Sequence, residues 1–362
     1  MSNNTKGRNY RYNAAQAAYE EEYEKRRRQA HRKYMIKKKK KRRRRRIFFF
    51  FFLLVSILTG YGVARMQVEI TNTLNIVSRN AKDDLNDVDV SNIDLVGDDE
   101  VINILLVGSD KRATDTTAGR SDSLMIATLD MKNKQIKLSS IMRDTLVTIP
   151  GYMDNRFNAS YSYGGIPLLY QTIATNFKVR LDGYVLVDFE AFTNVIDELG
   201  GVDISITQSE YDHLISYYKN KSYKKDVEKL SPGMNTMTGR QALCYARIRK
   251  EGNGDFRRTE RQREVLQAIF TKAKSMSLTT LYDTMKSVLP YVETDFTNEE
   301  IISMLTSLFK MGTTEIEQFR IPVDGTYENQ KVRGMAVLVA DLEENASLLQ
   351  EFIYNKVDST TN

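Results

Sequence analysis

The sequence predicts an α/β domain, a central mixed sheet flanked by helices, preceded by one N-terminal transmembrane helix. Three observations carry that expectation. Strand-like and helix-like runs alternate from Val101 onward. Ile47 to Ala64 is an uncharged apolar run containing five consecutive Phe. The net charge of +6 over 362 residues hides a split: residues 1–46 hold 19 Lys+Arg against 4 Asp+Glu, leaving 34 against 43 beyond them.

The apolar run is close to the minimum that spans a hydrocarbon core of roughly 30 Å. Lys37 to Arg46 abuts it and no small-residue cleavage site follows, so residues 47–65 are expected to form an uncleaved signal anchor. The positive-inside rule then puts the basic tail, residues 1–46, in the cytoplasm and everything after Arg65 outside the cell membrane. Such a tail is drawn to anionic lipid by about 1 kcal/mol per charge. It contains no recognisable nucleic-acid reader, so no nucleic-acid partner is expected. Residues 66–100 are expected to be a polar acidic stalk: from residue 67 they carry only Arg79 and Lys82 against nine acidic residues.

Residues 101–356 are expected to be one extracytoplasmic domain, with a flexible end at 357–362. Val101 to Val107 is an apolar run ended by Gly108 and fits a buried strand. Ser123 to Leu129 and Gln135 to Ile141 fit two more, joined by a turn at Asp130-Met131-Lys132-Asn133. Helical periods follow at Pro167 to Phe177 and Phe189 to Leu199, the second stopped by Gly200-Gly201. Val202 to Ile206 is strand-like, and Ser209 to Lys229 is a polar stretch rich in Tyr and Lys, expected at the surface. Two or three helices are expected between Phe256 and Met311, then strand-like runs near Phe319 to Ile321 and Arg333 to Val339. A closing helix is expected at Asp341 to Tyr354.

Scarce residue types exclude several chemistries. Cys244 is the one Cys, so there is no internal disulfide or thiolate zinc cluster, and it reads as a small buried hydrophobe. With only His31 and His213, a His triad or multi-His metal site is excluded, and any metal must be hard and oxygen-bound. No GxxxxGK[ST] phosphate loop is present, and the GxG at Gly60 and Gly62 lies inside the apolar run.

Several charged groups fall where strands end. Asp110 and Arg112 follow the first strand, and Arg120 and Asp122 precede the second. Ligands of open α/β sheets bind beyond the carboxyl ends of strands. Two carboxylates with phosphate oxygens suit Mg²⁺, although each Asp alone also fits a turn. Arg143 leaves the third strand in Ser140-Ile141-Met142-Arg143-Asp144-Thr145. If Tyr245 to Arg249 is extended, Arg247 and Arg249 share one face and Ala246 and Ile248 the other. Asp255 is a candidate helix N-cap, with Arg258, Arg261 and Gln262 on one helical face behind it. Guanidinium groups clustered at a helix N-terminus suit phosphate oxygens.

In this order the segments GSDKR, GRSDS, SIMRDT, the Asn158-Ala159 turn with Gly164-Gly165, DFEAFTNVIDELGGV, Leu243 to Arg249 and GDFRRTERQ resemble the LytR-CpsA-Psr family of Gram-positive envelope proteins. The resemblance spans about Val101 to Lys274, and the tail and single membrane helix match that family's layout. It implies a phosphotransferase that takes a glycopolymer, teichoic acid or capsule among them, from a polyprenyl-pyrophosphate carrier to a peptidoglycan hydroxyl, forming a phosphodiester. Asp110 and Asp122 would hold Mg²⁺, or Mn²⁺ in its place. Arg112, Arg120, Arg143, Arg247, Arg249 and Arg258 would clamp the pyrophosphate, with Gln262 nearby. Arg143, Arg247, Arg249, Asp110 and Asp122 form the implied catalytic set. Two positions depart from the family pattern, Met142 where Pro is common and Arg257 where Gly is common. Alternative readings are a pyrophosphatase using water as acceptor at the same site, and a membrane-bound transcriptional regulator.

Overall fold

The computed structural model describes residues 72–75, 77–79, 85, 88–109, 121–249, 254–313 and 315–354. The basic tail, the 47–65 segment and the 357–362 end therefore lie outside the described residues, as do Asp110, Arg112 and Arg120. Among the described residues no helix is long and apolar enough to cross a membrane.

The central sheet is mixed, as expected, with strand order β10-β3-β2-β1-β6-β9 among the described residues. These are β1 (Val101–Ser109), β2 (Ser121–Asp130), β3 (Gln135–Ile141), β6 (Gly183–Val187), β9 (Glu293–Thr294) and β10 (Ile316–Ile321). Strand β1 pairs antiparallel with β2 and parallel with β6, and β3 pairs parallel with β10. The turn after β2 is held by Asp130, whose carboxylate accepts from Asn133 N–H and Nδ2 at 2.8 Å each.

Alternation on β1 explains the layering, because a strand sends successive side chains to opposite faces. Leu105 and Val107 are buried in the larger core with α1 (Phe157–Phe177) and α9 (Leu342–Tyr354). Ile102 and Ile104 face the other layer, with Leu129, Ile136 and Met311. Helix α1 begins ten residues earlier than the expected Pro167 and breaks at Gly164 (φ −149°) and Gly165 (φ 65°). Asn158-Ala159, expected as a turn, lies in its first turn, and the Gly-Gly-x-Pro run supplies the kink instead.

Beside the sheet lies a second core. It gathers α2 (Phe189–Glu198), the ribbon of β7 (Val202–Ile206) and β8 (Gly233–Met237), α3 (Gln208–Tyr218), α4 (Lys224–Val227), α5 (Gly239–Ala246) and half of α6 (Asp255–Ser275). The polar 209–229 stretch is thus not simply surface. A Thr207–Glu210 capping box starts α3, and Leu214, Tyr218 and Val227 are buried. Remaining elements are the ribbon β4 (Leu146–Val147) and β5 (Asn155–Arg156), α7 (Leu278–Val288), α8 (Asn298–Met311), and the hairpin of β11 (Tyr327–Val332) and β12 (Met335–Ala340).

The 66–100 segment departs from a stalk. Leu74, Val77 and Leu85 are buried, and Val88, Val90, Ile93 and Leu95 pack on the main core. Among the described residues Asp89 and Asp94 stand exposed between Val88 and Val90 and between Ile93 and Leu95, so the apolar side packs while these charges stay wet.

Helix α5 meets α2 so closely that a Cβ on Gly239 would lie 2.1 Å from Thr193 O and 2.6 Å from its Cα. Helix propensity alone would favour Ala by up to about 1 kcal/mol. The backbone contact reverses the sign, since overpacking costs about 1–3 kcal/mol. Gly239→Ala should therefore lower the urea midpoint; an unchanged or raised midpoint would refute this packing.

Candidate active site

A cavity of about 200 Å³ opens at the carboxyl ends of the parallel strands β1 and β6. Gly108 and Ser109 come from β1, Asp122 and Ser123 from β2, and Val187 and Asp188 from the end of β6. Asp188 also caps α2, its Oδ1 accepting Ala191 N–H at 2.7 Å. Phe189 and Phe192 from α2, Leu243 from α5 and Leu266 from α6 make the walls apolar, while Arg247, Arg249, Arg258 and Gln262 line the same space.

Five of the expected site residues thus line one cavity: Asp122, Arg247, Arg249, Arg258 and Gln262. Arg143 joins them by donating Nη1 to Asp122 Oδ1 at 2.7 Å. Tyr245 to Arg249 is not extended. Tyr245 and Ala246 end α5, Arg247 is its C-cap at φ −101°, and Ile248 remains buried while both Arg are exposed. The segment's apolar residues serve a helix against the second core, where a two-residue alternation is also satisfied. Arg247 lies over the Phe189 ring at 4.6 Å, a stacking that leaves its in-plane donors open.

Gly254, at φ 39°, is the N-cap of α6, and Asp255 is its first residue. The Asp255 carboxylate serves the arginines: Oδ1 lies 2.8 Å from Arg258 Nη1 and 3.7 Å from Arg143 Nη2. The expected common face of α6 divides. Arg258 and Gln262 line the cavity, whereas Arg261 is fully buried on the second core, donating Nε to Glu210 Oε1 at 2.8 Å. Arg263 pins α6 to the sheet, donating to Gln318 Oε1 at 2.9 Å and Ser140 Oγ at 3.0 Å. The two family departures are absorbed locally. Met142 is buried, with its sulfur accepting from Thr259, and Arg257 turns outward to Glu260.

Arg258 has the least comfortable environment. Its side chain is 4% exposed, and Nε and Nη1 have no hydrogen bond among the described residues. Burial first, then the charge of Arg143, pushes its guanidinium down to about 10, with Asp255 pulling the other way. A buried cation in that state is a receptor for an anion.

Sequence reasoning missed Asp188, and Asp255 as an arginine partner. Near Arg247 and Arg249, the Tyr217 phenol at the end of α3 is held below its ordinary value by Lys221 beside it, with both arginines contributing. For a metal, the described cavity offers oxygen donors without thiolate or imidazole, which fits a hard cation. Among the described residues no group of three such ligands forms, so Asp122 would need Asp110 and substrate oxygens to complete a shell.

An adjoining cavity of about 350 Å³ shares Leu106, Val185 and Leu266 with the first and continues between sheet and helices past Ile104, Leu129, Phe270 and Leu308. The charged cavity thus adjoins an apolar trough.

Comparison with known proteins bears on the chain and its fold as a whole. The LytR_cpsA_psr family model matches residues 64–352. The polyisoprenyl-teichoic acid–peptidoglycan teichoic acid transferase TagU of Bacillus anthracis is 32% identical over 274 residues, 74% of this chain and 84% of that protein. TagT bound to LI-WTA is similar at TM-score 0.59 and 27% identity, covering 71% of this chain and 90% of that one. The LytR-CPS2A-psr family protein YwtF (TagT) with bound octaprenyl pyrophosphate lipid is similar at TM-score 0.55 and 25% identity, covering 70% and 91%.

Removing this incompletely hydrogen-bonded cation, whose partner Asp255 keeps Arg143, should separate stability from binding. Arg258→Met is expected to keep or raise the melting temperature, and to weaken binding of inorganic pyrophosphate at least tenfold, since a charge-assisted hydrogen bond contributes about 1.5–3 kcal/mol. Calorimetric titration measures this, and equal affinity in the variant would refute the anion site.

Proposed function

The chain belongs to the LytR-CpsA-Psr family, and we propose that it transfers a glycopolymer from a polyprenyl-pyrophosphate carrier to a peptidoglycan hydroxyl. The observation that carries this reading is the pairing of Arg258, buried with open guanidinium donors, with an apolar trough adjoining the same cavity. A lipid pyrophosphate is an anion joined to a long hydrocarbon, and those are the two surfaces required. The named relatives and the lipid-bound TagT support the same substrate class.

In the proposed reaction the acceptor hydroxyl oxygen bonds to the phosphorus that carries the glycopolymer. The bond from that phosphorus to the bridging oxygen breaks, polyprenyl phosphate leaves with the electron pair, and the hydroxyl proton passes to solvent. Such transfers need positioning and charge neutralisation more than covalent help from the protein. Arg143, Arg247, Arg249 and Arg258 would hold the pyrophosphate oxygens, with Arg112 and Arg120 beside them and Gln262 as a neutral partner. Mg²⁺ or Mn²⁺, held by Asp110 and Asp122 with substrate oxygens, would neutralise further phosphate charge. Burying each methylene of the lipid in the trough contributes about 0.8 kcal/mol, so binding energy from the tail can hold the head in register.

The reading places the domain after residue 66 outside the membrane, anchored by residues 47–65, with the basic tail in the cytoplasm. Trypsin added to intact protoplasts should then digest the outer domain and spare residues 1–46; a protected domain would overturn the topology.

For the reaction, the full-length chain in detergent is incubated with labelled lipid-pyrophosphate saccharide, peptidoglycan oligomers and Mg²⁺. Label should enter the glycan. Arg143→Ala and Arg247→Ala should each cut the rate about 10²–10³-fold, the scale of losing one preorganised donor, and a chelator should abolish it. Attachment unchanged in both variants would sink the transferase reading, and free sugar phosphate as the product would identify a hydrolase.

A further inference from the structure

Arg143 stands between two cavities. Asp122, which lines the cationic one, takes its Nη1 at 2.7 Å. Asp144 and Asp255 lie 3.5 Å from its Nε and 3.7 Å from its Nη2, and they line a different cavity of about 450 Å³. That second space is bounded also by Phe256 from α6 and by Asn329, Gln330 and Lys331 from β11. Its hairpin wall is fixed beside Arg143. Leu338 N–H donates to Asp144 O at 3.0 Å, and Phe256 stacks on Tyr327 with ring centroids 5.3 Å apart.

We propose that this second cavity is the acceptor subsite, holding a sugar unit of the peptidoglycan glycan with its reacting hydroxyl turned toward Arg143. The inference rests on the transferase reading and adds where the acceptor sits. The two cavities differ in chemistry as the two substrates do. The first has Arg247, Arg249 and Arg258 with Asp122 and Asp188 among apolar walls. The second has two carboxylates, one ammonium, two amides and a phenyl ring beside Met142, Ala336, Val337 and Leu338. Amides both donate and accept, carboxylates accept from hydroxyls, and an aromatic face receives the C–H face of a pyranose. Arg143, Arg156 and Arg258 are already paired with Asp144 and Asp255, so a phosphate group entering there meets Lys331 as its lining cation and no lining guanidinium.

Asp255 marks the seam between them. Its Oδ1 is buried 2.8 Å from Arg258, whose own side chain lines the first cavity, while the one-third-exposed carboxylate also lines the second. A hydroxyl entering from the hairpin side that donates to this carboxylate stands one guanidinium away from the pyrophosphate site. Asp255 therefore acts as a positioning residue for the attacking oxygen.

Asn329 and Gln330 are exposed on β11, so replacing them leaves the core intact. In the full-length chain, Asn329→Ala/Gln330→Ala should raise the KM for soluble peptidoglycan glycan oligomers tenfold or more, with the Kd for lipid pyrophosphate within twofold of wild type. Unchanged acceptor KM in a chain that still transfers overturns the subsite and leaves the transferase reading standing. If the wild-type chain transfers nothing, the transferase reading fails, and calorimetry with the oligomers alone decides the subsite. Tenfold weaker binding in the variant supports it, and equal binding, or none to wild type, overturns it.

Discussion

Helix α6 carries buried arginines in three directions, and the placement of the rest of the domain follows from how each is compensated. Arg261 is buried in the second core against Glu210, and Arg263 reaches Ser140 and Gln318 on the sheet. Burial raises the carboxyl of Glu210, but Thr207 and Arg261 outweigh it and hold it below its ordinary range. One carboxylate thus caps α3 and neutralises α6. Buried charge is tolerated when paired and hydrogen-bonded, and strongly costly when it is not. Arg261 is both paired and hydrogen-bonded and Arg263 is hydrogen-bonded, which fixes α6 against both cores. Arg258 has its carboxylate, Asp255, but among the described residues no hydrogen bond at Nε or Nη1, and that shortfall defines the site.

That imbalance separates the two sides of Arg143. On the β1–β6 side, cations outnumber carboxylates and the walls are apolar. On the hairpin side, two carboxylates, an ammonium and two amides sit among apolar residues. Low local dielectric strengthens whatever charge is added to either, so the cationic side favours a lipid-linked anion and the hairpin side, with its mixed polar groups, suits a neutral, hydroxyl-rich chain. Neither cavity needs a nucleophilic side chain to do this, consistent with a domain whose single thiol, Cys244, is buried in the second core and raised to about 11 by burial.

The central strands were legible because their signal is local: Val101 to Val107 is an apolar run ended by Gly108, Gln135 to Ile141 carries Ile136, Leu138 and Ile141 after a turn, and β3 matches its expected limits. The short edges were not. Glu293–Thr294 becomes a strand only because β6 offers it an edge, and Gly233–Met237 only because β7 does. An extended Tyr245 to Arg249 is equally compatible with the sequence because a segment this short fits either period, and the structure instead ends α5 there. At the site, motif order identified the cavity's arginines. It did not show that Arg261 turns away, since i+3 and i+4 neighbours separate once two cores flank a helix. Nor did it show that Asp255 faces arginines, because capping and ion pairing draw on the same residue type at the same helix end.

Arg143 is shared, and sharing has an energetic consequence. Its guanidinium contacts Asp122 on one side and Asp144 and Asp255 on the other. A phosphate oxygen that draws Arg143 and Arg258 toward the first cavity weakens their hold on Asp255, leaving its buried Oδ1 a better acceptor for a hydroxyl. By linkage, a hydroxyl on Asp255 makes the same guanidinium groups more available to phosphate, so the two occupancies favour one another by equal free energies. A domain arranged in this way engages the acceptor most strongly when the donor is already in place, which limits the exposure of the pyrophosphate to water in the absence of a sugar hydroxyl.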